Sequence, residues 1–408
     1  MNCRGCDSLL SKTFIDLGES PIANNLLTLE QLGKKEEFFP LHTRTCDSCG
    51  LVQLPEISSR ETLFPENYTY YSSYSKSWLA HSQMYATKMI EKLGLMEDDL
   101  VVEVASNDGY LLQYFRGAGI PVLGIEPAAE VAKVAKQERD IPTVVEFFGH
   151  DTAKKLLEQN TKSRLMIANN VLAHVPDIHD FVAGFEVLLA EDGIVTFEFP
   201  HLLNLILLNQ FDTIYHEHYS YLNVMSLIPI FAKHGLRIFD VEELDTHGGS
   251  LRIFVCRTKS HWKEDASVKN CIYEEGIHDP RSDNVALKAQ SRSQQVKSEL
   301  LDELDRIKKS GKTVAAYGAA AKGNTLLNFV GVKSGSIDYV VDRNPHKQGK
   351  YLPGSHIPIV SEDYLQKKPP DVLLILPWNL AVELNQQLDY LKKLNVKFLR
   401  AIPSLEYF

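Results

Sequence analysis

The densest concentration of chemically useful side chains lies in TIYHEHYSYL, residues 213–222, where Tyr215, His216, Glu217, His218, Tyr219 and Tyr221 fall within seven residues. Histidine titrates near neutral pH, and an adjacent carboxylate or phenol can orient or tune it, so the cluster suits acid–base catalysis. The competing readings are a metal site, weak because His-x-His here has no cysteine partner, and an exposed polar loop. A second chemistry is written in Cys3-x₂-Cys6 and Cys46-x₂-Cys49. Two residues between thiolates let both reach one tetrahedral ion, and two such turns complete a Cys₄ shell. The expectation is zinc with no position left for water or substrate, hence a structural metal. Gly5 and Gly50 are expected to supply tight backbone positions in the two turns.

A third constellation follows the apolar run LVVEVA (100–105). Glu103, Asn107, Asp108 and Gly109 lie at the end of that predicted strand, and Glu126 ends the next one, 23 residues after Glu103. An acidic residue at that distance can bind the ribose hydroxyls of an adenosine. Dinucleotides carry a pyrophosphate and favour a glycine-rich turn that lets the backbone approach it. EVASNDG has one glycine and two acidic groups, which suits S-adenosylmethionine (SAM) better, because its sulfonium and ammonium are drawn to carboxylates. Taken alone, the turn also admits a blander reading, with Asp108 as a helix cap and Glu126 as a solvated strand end. Phe147 and Phe148, after the third predicted strand, are candidates to flank an adenine. Asn169, Asn170 and His174 end the fourth, beside the expected methyl donor.

Strands that alternate with helical patterns must position these groups. PVLGIE (121–126), PTVVEFF (142–148), RLMIANN (164–170) and GIVTFEFP (193–200) predict a parallel, doubly wound sheet with ligands at its carboxyl edge. HGLRIFDVEELDTHGGSLRIFVCR (234–257) reads as an antiparallel pair closing it, as in class I methyltransferases. Residues 285–310 predict a polar helix with Val296, Leu300, Leu304 and Ile307 on one face, joining domains. TVAAYG (313–318), IDYVVD (337–342), DVLLILP (371–377) and KFLRAIP (397–403) then predict a second, smaller α/β unit. The tyrosine-rich stretch 60–80, with Tyr68, Tyr70, Tyr71 and Tyr74, reads either as a packed linker or as a lid over a ligand.

Length and charge bound the rest. At 408 residues two or three domains are expected. A formal charge of −10 argues against nucleic acid or an anionic membrane as partner. No apolar run approaches transmembrane length, so the chain is expected to be cytoplasmic, and a monomer.

Taken in order, Cys-x₂-Cys…Cys-x₂-Cys, NYTYYSS, EVASNDGYLL, NNVLAHV, YHEHYSY, HGGSLR, YGAAAKGNTLLN and VVDRNPHKQGKYLPGSHIPI resemble the sugar C-methyltransferase family, whose members make D-tetronitrose and other branched deoxysugars. The match spans essentially the whole chain. Its one small departure is Ala105 where many relatives carry glycine, which should tighten the cofactor turn. The resemblance implies three domains: a zinc-binding domain (1–68), a SAM-dependent methyltransferase domain with a Rossmann-like core (69–284), and a C-terminal Rossmann-like α/β domain for the nucleotide-sugar (285–408). It implies methylation at C-3 of a nucleotide-linked, commonly dTDP-linked, 4-keto-6-deoxyhexose. His218 then matches the base, supported by Glu217, while Tyr215 and Tyr70 serve the developing enolate oxygen and His174 sits near donor and sugar. On the substrate side it implies His247, Arg252, Tyr317, Lys322, Asn324, Thr325, Asp342, Asn344 and Lys347. The rival is an NAD-dependent nucleotide-sugar oxidoreductase using GAAAKG and Asp342, 24 residues after Gly318.

Overall fold

A computed structural model of the chain describes residues 1–57, 71–159 and 162–408, so Tyr68 and Tyr70 lie outside the described residues. The cysteine pairs sit on tight turns. Asp7 donates its backbone N–H to the Cys3 carbonyl and Gly50 donates to that of Cys46. Asp7 and Gly50 both take left-handed φ, 64° and 76°. Gly5 is needed for space instead: a Cβ there would press on Ile230 Cδ1 at 3.2 Å. Between the turns β1 (Lys12–Ser20) and β2 (Phe39–Thr45) pair antiparallel, and β3 (Val52–Gln53) extends them.

In the central unit β4 (Val101–Val104), β5 (Val122–Ile125), β6 (Thr143–Val144), β7 (Ser163–Asn169) and β8 (Leu189–Pro200) run parallel in the order β8-β7-β4-β5-β6. Successive strand residues face opposite ways. Val102, Val104, Met166, Ala168 and Val195 therefore meet Phe181, Phe185 and Phe231 on one face. Val101, Leu165, Ile167 and Ile194 meet Tyr85, Met89 and Phe115 on the other. The third strand is shorter than its 142–148 pattern, because β6 is the sheet edge and pairs only with β5. The chain then turns inward, and Phe148 packs edge-on against Phe181 and Phe185.

β9 (Ser220–Tyr221) leaves the central unit and pairs antiparallel with β3, becoming the fourth strand of the cysteine module's sheet. β10 (Leu236–Leu244) and β11 (Ser250–Arg257) return as the expected antiparallel pair along β8.

The C-terminal sheet comprises β12 (Val314–Tyr317), β13 (Val340–Val341), β14 (Ile359–Val360), β15 (Val372–Ile375), β16 (Lys397–Arg400) and the antiparallel β17 (Glu406–Tyr407). Their order is β14-β13-β12-β15-β16-β17. Helix Asp283–Lys309 does more than connect domains. Its buried residues, including Val296, Leu300, Leu304 and Ile307, share one core with Phe14 and Ile15 of β1, Phe211 and Ile214 of the central unit, and Leu327 and Leu374 of the C-terminal unit. Among the described residues, no helix is long and apolar enough to cross a membrane.

Candidate active site

β4, β5 and β7 end at one edge of the central sheet, and the turns after them gather the acidic and amide groups. Ala105, Asn107 and Gly109 all take positive φ (55°, 49° and 76°). That curl aims the Asn107 N–H at Glu126 Oε2 (3.0 Å), while Glu126 Oε1 accepts from Ala128 N–H (2.9 Å). Burial pushes the Glu126 carboxyl up to about 7. Glu103 is wholly buried, and burial drives its carboxyl well above the usual range despite the Tyr110 hydroxyl beside it. Among the described residues, both Glu103 oxygens, Asp108 Oδ1, Asn169 Oδ1 and Asn170 Oδ1 are buried without a hydrogen bond of ordinary geometry. A cluster of waiting acceptors fits a ligand rich in donors and positive charge. SAM is such a ligand, with its ammonium, sulfonium and ribose hydroxyls.

Chain entering helix Lys76–Leu93 closes over this turn: Ser72 donates its N–H to Asn107 Oδ1 (2.8 Å) and Ser73 its hydroxyl to Asp108. From that helix Trp78 stacks on His81 (4.9 Å) and lies 5.3 Å from the His247 ring. Phe147 is half-buried just past β6; Phe148 belongs to the core and is not free to hold an adenine.

The histidine loop, residues 213–221, has a defined hydrogen-bond logic. His218 Nδ1 lies 2.9 Å from the Thr213 carbonyl, and its Nε2 is 2.8 Å from the Tyr215 hydroxyl. His174 Nδ1 lies 2.7 Å from the Glu217 carbonyl. A carbonyl only accepts, so Nδ1 carries the hydrogen in both rings and Nε2 the lone pair. The rings are 4.6 Å apart. Burial, His174, His247 and the Lys322 ammonium hold His218 well below the ordinary histidine range, and burial lowers His174 to about 4. Both are neutral bases at pH 7. Glu217 does not hold the imidazole, contrary to expectation; Thr213 does. Its carboxylate turns to the cysteine module, where Oε1 accepts from Asn24 Nδ2 (3.0 Å). Behind His218, between Ala173, His201 and Gln210, lies a cavity of about 20 Å³, room for one water.

The C-terminal unit faces this loop. Lys322 donates to Asn379 Oδ1 (2.6 Å), and its ammonium sits 4.6 Å over the Trp378 ring. Burial lowers the Lys322 ammonium, opposed by the charge of Asp212. Trp378 Nε1 donates to Asp212 Oδ2 (2.8 Å), and burial pushes Asp212 up to about 6. Gly248 (φ 93°) lets this tryptophan approach: a Cβ there would lie 2.3 Å from Trp378 Cη2. His247 beside it also has positive φ (56°), and burial lowers its imidazole to about 4. Asn324 is buried in the first turns of helix Ala321–Val330, with neither its Nδ2 nor its Oδ1 partnered among the described residues.

Two expected substrate residues are otherwise engaged. Thr325 donates its hydroxyl to the Ile214 carbonyl (3.1 Å), bracing the histidine loop. Arg252 is buried under β8 and pairs with Glu198 (2.6 Å) and Glu242 (3.1 Å). Although burial alone would raise it, the bond from His81 and the Arg252 charge keep Glu198 below the usual range. Tyr317 donates to Glu362 Oε1 (2.5 Å). Asp342 accepts from Ala319 N–H (2.9 Å) and Asn344 N–H (2.8 Å), and Lys347 donates to the Ala319 carbonyl (2.7 Å), which clasps the two strand ends together. Trp378 and Asn379 had a sequence signal, the end of the DVLLILP strand. Asp212 and Thr213 flank the histidine cluster. Asn24 had none.

The four N-terminal sulfurs lie within 4.8 Å of one another, with Cys3–Cys49 at 3.5 Å and Cys6–Cys46 at 3.4 Å. Zinc with bonds of about 2.3 Å sets tetrahedral S···S distances near 3.8 Å, so the shell fits with little movement. His201, Cys271 and Glu275 form a second cluster. There Glu275 already takes His201 Nε2 (2.9 Å) and the N–H groups of Val224 (2.8 Å) and Met225 (2.9 Å), capping helix Val224–Lys233. Burial pushes the Cys271 thiol up, away from the thiolate a metal needs.

Family models match three stretches: "Putative zinc binding domain" over residues 3–64, "Methyltransferase domain" over 80–241 and "C-methyltransferase C-terminal domain" over 245–403. The C-methyltransferase NovU of Streptomyces niveus is 35% identical over 98% of this chain and 95% of its own length. Solved structures similar to part of the chain include magnesium protoporphyrin IX methyltransferase from Synechocystis PCC 6803 with bound SAM (15% identity, 44% of this chain, 81% of that one, TM-score 0.34). Another is a SAM-dependent methyltransferase from Clostridium acetobutylicum ATCC 824 (11% identity, 44% and 92%, TM-score 0.36). With a relative that close over nearly its full length, the chain belongs to the C-methyltransferase family and is a SAM-dependent C-methyltransferase with a zinc-binding N-terminal module.

Proposed function

We propose that the acceptor is C-3 of a nucleotide-linked, dTDP-type 4-keto-6-deoxyhexose, and that methylation proceeds through an enolate. The observation that carries this is the pair of neutral histidines with their Nε2 lone pairs defined, set opposite the Lys322 ammonium. SAM supplies an electrophilic methyl group when bound. Glu126 would hold the ribose hydroxyls and Glu103 the cationic end, with Asn107, Asp108, Gly109, Phe147, Asn169 and Asn170 around them. His218 Nε2 takes the C-3 proton, and the electron pair moves into the C-4 ketone. Donors aimed at that oxygen are worth most, because charge appears there only as the transition state forms. Tyr215, Tyr70 and the Lys322 ammonium are the candidates, and His174 and His247 flank the same space. Negative charge near Lys322 also relieves the penalty that ammonium imposes on His218, making the base stronger when the acceptor is bound.

The C-terminal unit, residues 285–408, would take the nucleotide end. Asn324 beside Lys322 supports a phosphate near the helix start, and Tyr317, Asp342, Asn344 and Lys347 line the neighbouring strand ends. The test is mass spectrometry of products from SAM and a panel of nucleotide-linked ketosugars, with NMR to locate the methyl. Methylation at the carbon beside the ketone of a dTDP-4-keto-6-deoxy sugar is expected. Methylation only at C-5, or only of sugars lacking the ketone, would overturn the assignment.

A further inference from the structure

We infer that Asn24, on the zinc-binding module, is a positioning residue for the reaction: it holds the Glu217 carboxylate in one rotamer within the base loop. This rests on reading residues 213–221 as that loop. The module engages the loop at four points. β9 is hydrogen-bonded to β3, with Val52 opposite Tyr221 and Gln53 opposite Ser220. Arg4, between the first two zinc ligands, donates to the carbonyls of Tyr219, Leu54 (3.0 Å) and Pro176 (3.3 Å). The Pro40 carbonyl lies 3.3 Å from His216 Nε2. Asn24 reaches the carboxylate at the centre of the motif.

Glu217 is a poor choice for a purely structural residue. Its carboxylate is buried, its Oε1 has the Asn24 amide, and its Oε2 has no hydrogen bond among the described residues. A half-satisfied buried carboxylate costs stability and is retained where it is used. Burial raises its pKa, and its own backbone N–H, followed by the side-chain and backbone N–H groups of Asn24, opposes that rise. The other ionisable groups around it are Tyr221, which senses its charge, Arg4, which acts on Tyr221, and His174, bonded to its backbone carbonyl. Removing the amide therefore frees the rotamer and favours the protonated acid.

The experiment uses full-length, zinc-loaded enzyme. Asn24→Leu keeps the volume and removes the donor. With zinc content and SAM affinity at wild-type levels, kcat is expected to fall about tenfold or more, with KM changing less. The acid limb of the kcat–pH profile should move to higher pH. Combining it with Glu217→Gln should add no further loss, since Asn24 acts only through that carboxylate. If Asn24→Leu does not fold, Asn24→Ala carries the same expectations. Wild-type kcat and pH profile in a folded Asn24 variant, or losses that multiply with Glu217→Gln, would overturn the assignment. Full activity in His218→Ala would instead remove the base-loop reading beneath it.

Discussion

The acidic turn after β4 and the histidine loop are built in opposite ways. Residues 103–109 and 126 are ordered by their own strand ends and by each other: Glu126 takes the N–H of Asn107, and Asn107 in turn takes that of Ser72. Residues 212–221 are held by three units at once, through Asn24 and Arg4 from the zinc module, Ala173 from the central unit, and Thr325 and Trp378 from the C-terminal unit. The acidic turn is thus ordered locally, while the histidine loop is ordered by all three units. Damage to the outer modules should silence the chemistry and spare the cofactor.

The largest test of that contrast is the metal. Chelation, or Cys46→Ser, should abolish methylation, because a closed Cys₄ shell contributes folding energy to the module that carries Asn24 and Arg4. SAM affinity of the remaining folded protein, measured by calorimetry, should be largely kept. Full activity in a metal-free folded sample would break the comparison. Next is His218→Ala, expected to lower turnover by about 10²–10⁴-fold with both ligands still binding. It should also lose C-3 proton exchange in D₂O, an assay independent of methyl transfer. Because burial depresses the His218 pKa, the neutral base persists below pH 6.5. Any activity loss near neutral pH must come from another group.

Glu126 is the converse probe. Glu126→Ala should weaken SAM by about 1.5–3 kcal/mol and leave exchange at C-3 intact. In the wild type the carboxyl titrates at about 7, and the ionised form is the better acceptor. SAM affinity should therefore be full above that pH and decline below it, with no such decline in Glu126→Gln. The smallest effect belongs to Ala105, a non-glycine residue at φ 55°. Left-handed backbone costs an alanine about 1–2 kcal/mol, and glycine loses about 0.5–1 kcal/mol in a more flexible unfolded chain. Ala105→Gly should raise the unfolding free energy by at most about 1 kcal/mol, read from denaturant melts.

What could be read from the sequence follows the same division. The cysteine turns, the strand–turn–helix around Glu103 and the YHEHY cluster are short-range patterns, legible because the chemistry and the spacing occupy one stretch. Arg252 and Thr325 were visible as residue types, but their partners, Glu198 and Ile214, come from distant strands and loops. Phe148 looked like an adenine neighbour because its pattern is apolar after a strand, and only tertiary packing sends it into the core. Asn24 reaches Glu217 across 193 positions, a distance over which a single sequence carries no spacing signal.

The pairing of β9 with β3 also bears on how the chain is made. On the ribosome all four zinc ligands emerge with the first 49 residues, so metal can be captured early. The sheet beside them stays open at β3 until residues 220–221 have been synthesised, and an uncovered strand edge is an invitation to pair with another chain. The four-stranded sheet of the module is complete only when residues 220–221 have arrived to close it.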